Sequence, residues 1–171
     1  PKGVSGNCPV CVMEGSRPII AEIQCLVTPT VYPSPRRMSS GIDYNRAALL
    51  LAVLEKRLGM KFSTQDVYVN VAAGMRLVEP ACDVACALSM ISTYKNLPVP
   101  DDLIVFGEIG LAGECRSVSN TSQRVNESVR LGFKRIALPY RSVSSVKANV
   151  PSDIELIGLH GVYDIYKLIA D

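Results

Sequence analysis

The sequence predicts an α/β fold, a mixed α+β sheet with packed helices, from three observations. Apolar runs of strand length crowd its first third, a helix-period stripe follows, and strand and helix patterns then intermix to the end. No internal repeat or low-complexity segment interrupts this order. Residues 8–13 form a short apolar run that reads as a strand. Over 18–27, Ala21, Ile23, Cys25 and Val27 alternate with Glu22 and Gln24, the period of a half-buried strand. Residues 28–41 hold three prolines, several serines and the Arg36-Arg37 pair, and predict a loop crossing between elements. Asp43 then caps a helix to about Leu58, with Ala47, Leu50, Leu51, Leu54 and Leu58 as its apolar stripe and Gly59 as a left-handed stop. Lys56 and Arg57 suit the negative end of that helix dipole.

Residues 66–71 read as another strand. Pro80 suits the first turn of a second helix, running to about Lys95 with Val84, Leu88 and Ile91 inward. Strands are expected at 103–109 and 114–118, joined by a glycine-bearing turn, and a helix over about 121–131 stopping at Gly132. A strand at 134–138, a short helix near 142–148, a strand at 154–159 and a closing helix at 162–170 complete the pattern.

At 171 residues, 48% hydrophobic and 20% charged, the chain can bury one real core, and residues 1–171 read as a single domain. It opens at Pro1 rather than methionine, as a piece of a longer protein would. No apolar run approaches the ~20 residues of a membrane span, and no signal segment opens the chain, so no membrane partner is expected. Eighteen basic and sixteen acidic residues leave +2, too little to announce nucleic acid by itself. Such binding must come from local clusters or from repetition in an oligomer. Of the six cysteines most lie in apolar runs, which favours buried thiols and a reducing compartment.

An ordered set of segments carries a resemblance. It comprises Glu14-Gly15-Ser16-Arg17-Pro18, Pro35-Arg36-Arg37, Gly41-Ile42-Asp43-Tyr44-Asn45-Arg46, residues 50–57 and 66–71, Glu79-Pro80-Ala81, residues 107–114, and Leu131-Gly132-Phe133-Lys134-Arg135. Over nearly its whole length the chain resembles the C-terminal Lon-protease-like domain of the RadA (Sms) family of DNA repair proteins. More distantly it is similar to the proteolytic domain of Lon. The resemblance implies a Lon proteolytic-domain-like fold. It also implies a parent with a zinc finger and a RecA-like ATPase core ahead of this domain. Such parents form hexameric rings on single-stranded or branched DNA, drive branch migration beside a RecA-type recombinase, and serve recombination and stress response. They are cytoplasmic in bacteria, or organellar in a eukaryotic host. ATP, Mg and Zn belong to the parent's other parts. No G-x-x-x-x-G-K-[ST] occurs here, so no ATPase and no cofactor is expected in this chain.

Carried across from Lon, the nucleophilic serine of a Ser-Lys dyad falls on Ala81 and the lysine on Ser122. A methyl group cannot attack a carbonyl, and a serine cannot act as that base. Glu79 and Asp83 replace flanking glycines and would repel a developing oxyanion. No catalytic residue is therefore expected. The competing reading is residual peptidase activity through Cys82, one residue and about 100° out of register on a helix. Cys8-x-x-Cys11 has half-zinc or redox spacing, but no second pair exists, so structural thiols are the main reading and no metal site is expected. Three basic clusters are candidates for DNA or subunit contact: Arg36, Arg37 and Arg46; Lys56 and Arg57 with Lys61; and Arg130, Lys134 and Arg135. Each alone reads as a solvated face, but in a ring of six weak phosphate contacts would sum. Arg46 opposes the dipole of its helix, which points to an interface or a ligand anion. With so few aromatics, base stacking is not expected.

Overall fold

A computed structural model describes residues 3–170. A hairpin of β1 (Asn7–Glu14) and β2 (Arg17–Pro29) is followed by β3 (Arg37–Ser40), α1 (Tyr44–Leu58) and β4 (Gln65–Val71). Next come α2 (Asp83–Lys95), β5 (Leu103–Val105), β6 (Glu108–Ile109), β7 (Cys115–Arg116) and α3 (Thr121–Arg130). The chain ends in β8 (Arg135–Pro139), α4 (Tyr140–Val146), β9 (Glu155–Leu159) and α5 (Val162–Lys167). Seven strands form one mixed sheet in the order β3-β4-β2-β1-β5-β8-β9, and β6 and β7 form a separate ribbon. The pairs β1–β2 and β2–β4 are antiparallel, and the other four pairs in the large sheet are parallel. Among the described residues no helix is long and apolar enough to cross a membrane.

Helices cover both sheet faces. α1, α2 and α5 pack together on one face, and α3 and α4 meet on the other. Strand alternation sorts the hairpin side chains accordingly: Cys8 and Cys25 lie near Cys86 of α2, whereas Cys11 faces Ser128 of α3. The expected start and stop of α1 are present. The Asp43 carboxylate accepts the Arg46 backbone N–H at 3.0 Å, and Gly59 closes the helix at φ 69°.

Four features differ from the sequence reading. Residues 37–40 of the expected loop form β3, because the loop is pinned to β4. The Arg36 N–H donates to Asp66 Oδ1 at 2.7 Å, and the Arg37 guanidinium donates to Phe62 O at 2.6 Å and to Gln65 O. The strand expected over 103–109 is two strands. At Gly107 (φ 151°) the chain leaves the sheet to meet the start of α2, donating to Ala81 O at 2.9 Å and accepting from Val84 N at 3.1 Å. Pro80 opens a short 3-10 turn before α2 proper, and every residue from Asp83 to Ser92 is buried. A single inward stripe therefore understates α2, which is the central helix, wedged between the sheet, α1 and α5. The closing helix ends at Lys167 rather than 170.

Candidate functional site

The site is built around the start of α2, where Glu79-Pro80-Ala81-Cys82-Asp83 meets the C-terminal end of β5. Ala81 is 1% exposed, its methyl enclosed and its carbonyl bonded to Gly107. The carboxylates on either side are each taken by an arginine. Arg124 of α3, fully buried, reaches Glu79 through Nη2–Oε1 at 2.5 Å and Nη1–Oε2 at 3.2 Å. Its remaining donors satisfy Cys11 O at 3.1 Å and Ser119 O at 2.8 Å, and its guanidinium lies 5.7 Å from the Phe106 ring centre. Glu79 also accepts the Met13 N–H at 2.5 Å. On the far side Arg46 of α1 forks onto Asp83, with Nε–Oδ1 at 2.9 Å and a second bond from Nη2 to Oδ2, and donates to Ile109 O at 2.8 Å. The Ile109 N–H closes the ring on Asp83 Oδ2 at 3.0 Å. Hydrogen bonding to Asp83 raises the Arg46 pKa, so the guanidinium stays charged.

Bidentate, multiply bonded pairs of this kind hold elements in fixed register. One joins the lead-in of α2 to α3 and β1; the other joins α2 to α1 and β6. Ser122 lies exposed in the first turn of α3, and the α3 side chain that reaches the centre is Arg124. Arg124 was missed in the sequence because its partner lies 45 residues away and an arginine ordinarily reads as surface.

Cys82 is 3% exposed, and burial, reinforced by the Glu79 and Asp83 carboxylates, pushes its thiol up to about 12. A neutral, enclosed thiol is a poor nucleophile. Burial likewise pushes Cys11 to about 11 and Cys25 to about 12. Cys8 and Cys11, three apart on β1, face opposite sides of the sheet and cannot converge on one ion. Thiol titration of the native protein at neutral pH is therefore expected to label Cys82 only after unfolding. Rapid native labelling at Cys82 would contradict its enclosure.

The basic candidates have differing surroundings. Arg46 and Arg37 are engaged internally, with Asp83 and with backbone carbonyls. Arg36 stacks over Tyr32 at 3.8 Å. Lys56 and Arg57 are exposed and pair with no carboxylate among the described residues. Arg130 pairs with Glu127, Lys134 with Asp153 and Arg135 with Asp102, at 2.7, 2.8 and 2.7 Å. Bonding to these cations holds the Glu127, Asp153 and Asp102 pKa values below the ordinary range. Their folded values lie below the unfolded ones, so the stabilisation is present at neutral pH and lost as pH falls through the depressed values. Melting temperatures compared near pH 7 and pH 3 should fall on acidification, only slightly for exposed pairs.

Between this centre and the N-terminal end of α1 lies a cleft of about 620 Å³ whose wall includes Ser39, Tyr44, Arg76, Val78, Glu79 and Asp83.

The family described as subunit ChlI of Mg-chelatase matches residues 44–142. The chain is 49% identical over 162 residues to the DNA repair protein RadA of Halalkalibacterium halodurans, covering 95% of this chain and 35% of that protein. It is 43% identical over 166 residues to RadA of Listeria monocytogenes (97% of this chain, 36% of that protein). It is 42% identical over 167 residues to RadA of Streptococcus pneumoniae (98% and 39%). The chain thus spans little more than a third of the length of these curated relatives.

Proposed function

The chain belongs to the RadA family through its ChlI-type domain, and on that premise we propose that it is a non-proteolytic scaffold domain of a DNA repair protein. Its work is to support a hexameric ring and to add sequence-independent contact with DNA, single-stranded or branched. The parent acts as an ATP-driven branch-migration motor beside a RecA-type recombinase, in a bacterial-type cytoplasm. Nucleotide, Mg and Zn chemistry resides outside this domain.

The observation that carries this reading is the pair of arginine–carboxylate links bracketing Ala81. A hydrolytic centre needs an open position beside its nucleophile and donors aimed at an oxyanion. Here the flanking groups are carboxylates, and their arginines spend their donors on them and on backbone carbonyls. A centre cross-linked in this way favours rigidity, which a ring subunit requires. Residual peptidase action through Cys82 is disfavoured by the burial of that thiol.

DNA contact falls to Lys56 and Arg57, whose charges no carboxylate of the described residues neutralises, with Arg36 beside them in rank. A titration of the protein with labelled single-stranded DNA at increasing salt tests this. Affinity should fall linearly in log–log form, and Lys56→Glu with Arg57→Glu should weaken binding and reduce the slope. Salt-independent binding, or a variant that binds equally well, would remove DNA contact from the proposal.

A further inference from the structure

Lys56 and Arg57 lie at one border of a wider surface in which cations alternate with tyrosine rings. We infer that this surface holds single-stranded nucleic acid by base stacking, with an exposed tyrosine taking a base and the surrounding lysines taking phosphates. The inference rests on the DNA contact proposed above and adds to it a base-dependent component, against the expectation from composition that bases would not stack.

α1 and α2 start together at the Arg46–Asp83 link, and they also end together. At that end the Lys61 N–H donates to the Tyr94 hydroxyl at 3.2 Å, and the Phe62 and Tyr94 rings meet edge-on at 5.3 Å. α5 lies alongside. Lys95 reaches over the Tyr94 and Tyr166 rings, 5.8 and 5.5 Å from their centres. Tyr166 in turn stands nearly parallel to Tyr163, at 6.5 Å and 16°, and Lys167 lies over Tyr163 at 5.6 Å. Gly113 (φ 85°) lets the start of α5 close on the end of α1. A Cβ there would lie 3.1 Å from Arg57 Cγ and 3.3 Å from Val162 Cγ2. Folding thus brings tyrosines of two distant helices into one strip, which composition could not reveal.

The charge of the strip is one-sided. Lys56, Arg57, Lys61, Lys95 and Lys167 are exposed and pair with no carboxylate among the described residues. α1, α2 and α5 together hold three carboxylates. Asp83 lies at the opposite end on Arg46, Glu55 accepts the Phe62 N–H at 3.1 Å, and Asp164 accepts the His160 N–H at 2.8 Å. Glu114, next to Gly113, is held by Arg116. The C-terminal half-charges of α1 and α2 offset about one cation more. The balance stays positive, so the ligand is an anion. Tyr163, 62% exposed, presents its ring among these cations. Cations interleaved with aromatic rings suit a single strand, whose phosphates take the charges and whose unpaired bases take the ring, without sequence preference. A duplex keeps its bases paired inside, away from the ring. An acidic protein surface fits less well, because protein interfaces are depleted in lysine.

The test is fluorescence anisotropy of the protein at low salt with three fluorescein-labelled probes of equal length: oligothymidylate, an abasic strand and a duplex. The expected result is that oligothymidylate binds about tenfold more tightly than the abasic strand, the effect of one stacked base. Tyr163→Ala should remove that advantage and leave the abasic strand and the duplex unaffected, with the fold retained by circular dichroism because the ring is exposed. Tyr163→Phe should keep the advantage. Lys95→Gln should weaken both single strands alike and reduce the salt slope by about one. Equal, salt-dependent binding of the two single strands would overturn stacking while phosphate contact stands, whereas no binding of either would remove both. An advantage that survives Tyr163→Ala, a duplex weakened by that change as much as oligothymidylate, or displacement by polyglutamate as effective as by unlabelled oligothymidylate would overturn the inference as well.

Discussion

Replacing Glu79 with alanine is expected to destabilise the protein by about 3–5 kcal/mol, the cost of breaking a buried ion pair from one side. Arg124 is fully buried, so without Glu79 its charge keeps only the Cys11 and Ser119 carbonyls. The Met13 N–H loses its acceptor in the same step. Arg124→Met should cost less, about 2–3 kcal/mol, because Glu79 is 23% exposed and water can partly replace the guanidinium. The double variant should recover part of either loss, since no uncompensated charge remains. Urea unfolding of the four proteins measures these values. Equal losses, or strictly additive ones, would mean that the pair is not coupled as its geometry requires.

The pair on the other side of Ala81 should show the opposite asymmetry. Asp83 is 3% exposed and Arg46 32%, so here the carboxylate is the group that cannot be rehydrated. Arg46→Met is expected to cost about 3 kcal/mol and Asp83→Asn about 1–2, after allowance for the exposed guanidinium. Urea unfolding of both variants at neutral pH measures the two losses, and a larger loss from Asp83→Asn than from Arg46→Met would contradict this order.

These links also mark how far the sequence could be read. Elements with local signals were legible: the Asp43 cap, the apolar stripe of α1 and the Gly59 stop each act within one or two turns. The alternation in β2 likewise shows in its burial. β3 was not legible, because four residues from a proline-rich loop become a strand only through Asp66 and Arg37, which act from and upon residues some 30 positions away. The break at Gly107 was hidden for the same reason, since its bonds go to Ala81 and Val84. At the site, Ala81 was singled out by the resemblance alone. The unfavourable placement of Arg46 pointed to an interface or a ligand anion, whereas its anion is Asp83, inside the molecule. Arg124 carried no local signal. Its burial depends on Glu79, Cys11 and Ser119 converging from three separate segments.

The measurement that bears most directly on the scaffold reading is the mass of this chain in solution, by light scattering across a concentration series. A species six times the monomer mass, strengthening with concentration, is the predicted result; a monomer at every concentration would contradict self-assembly by this domain.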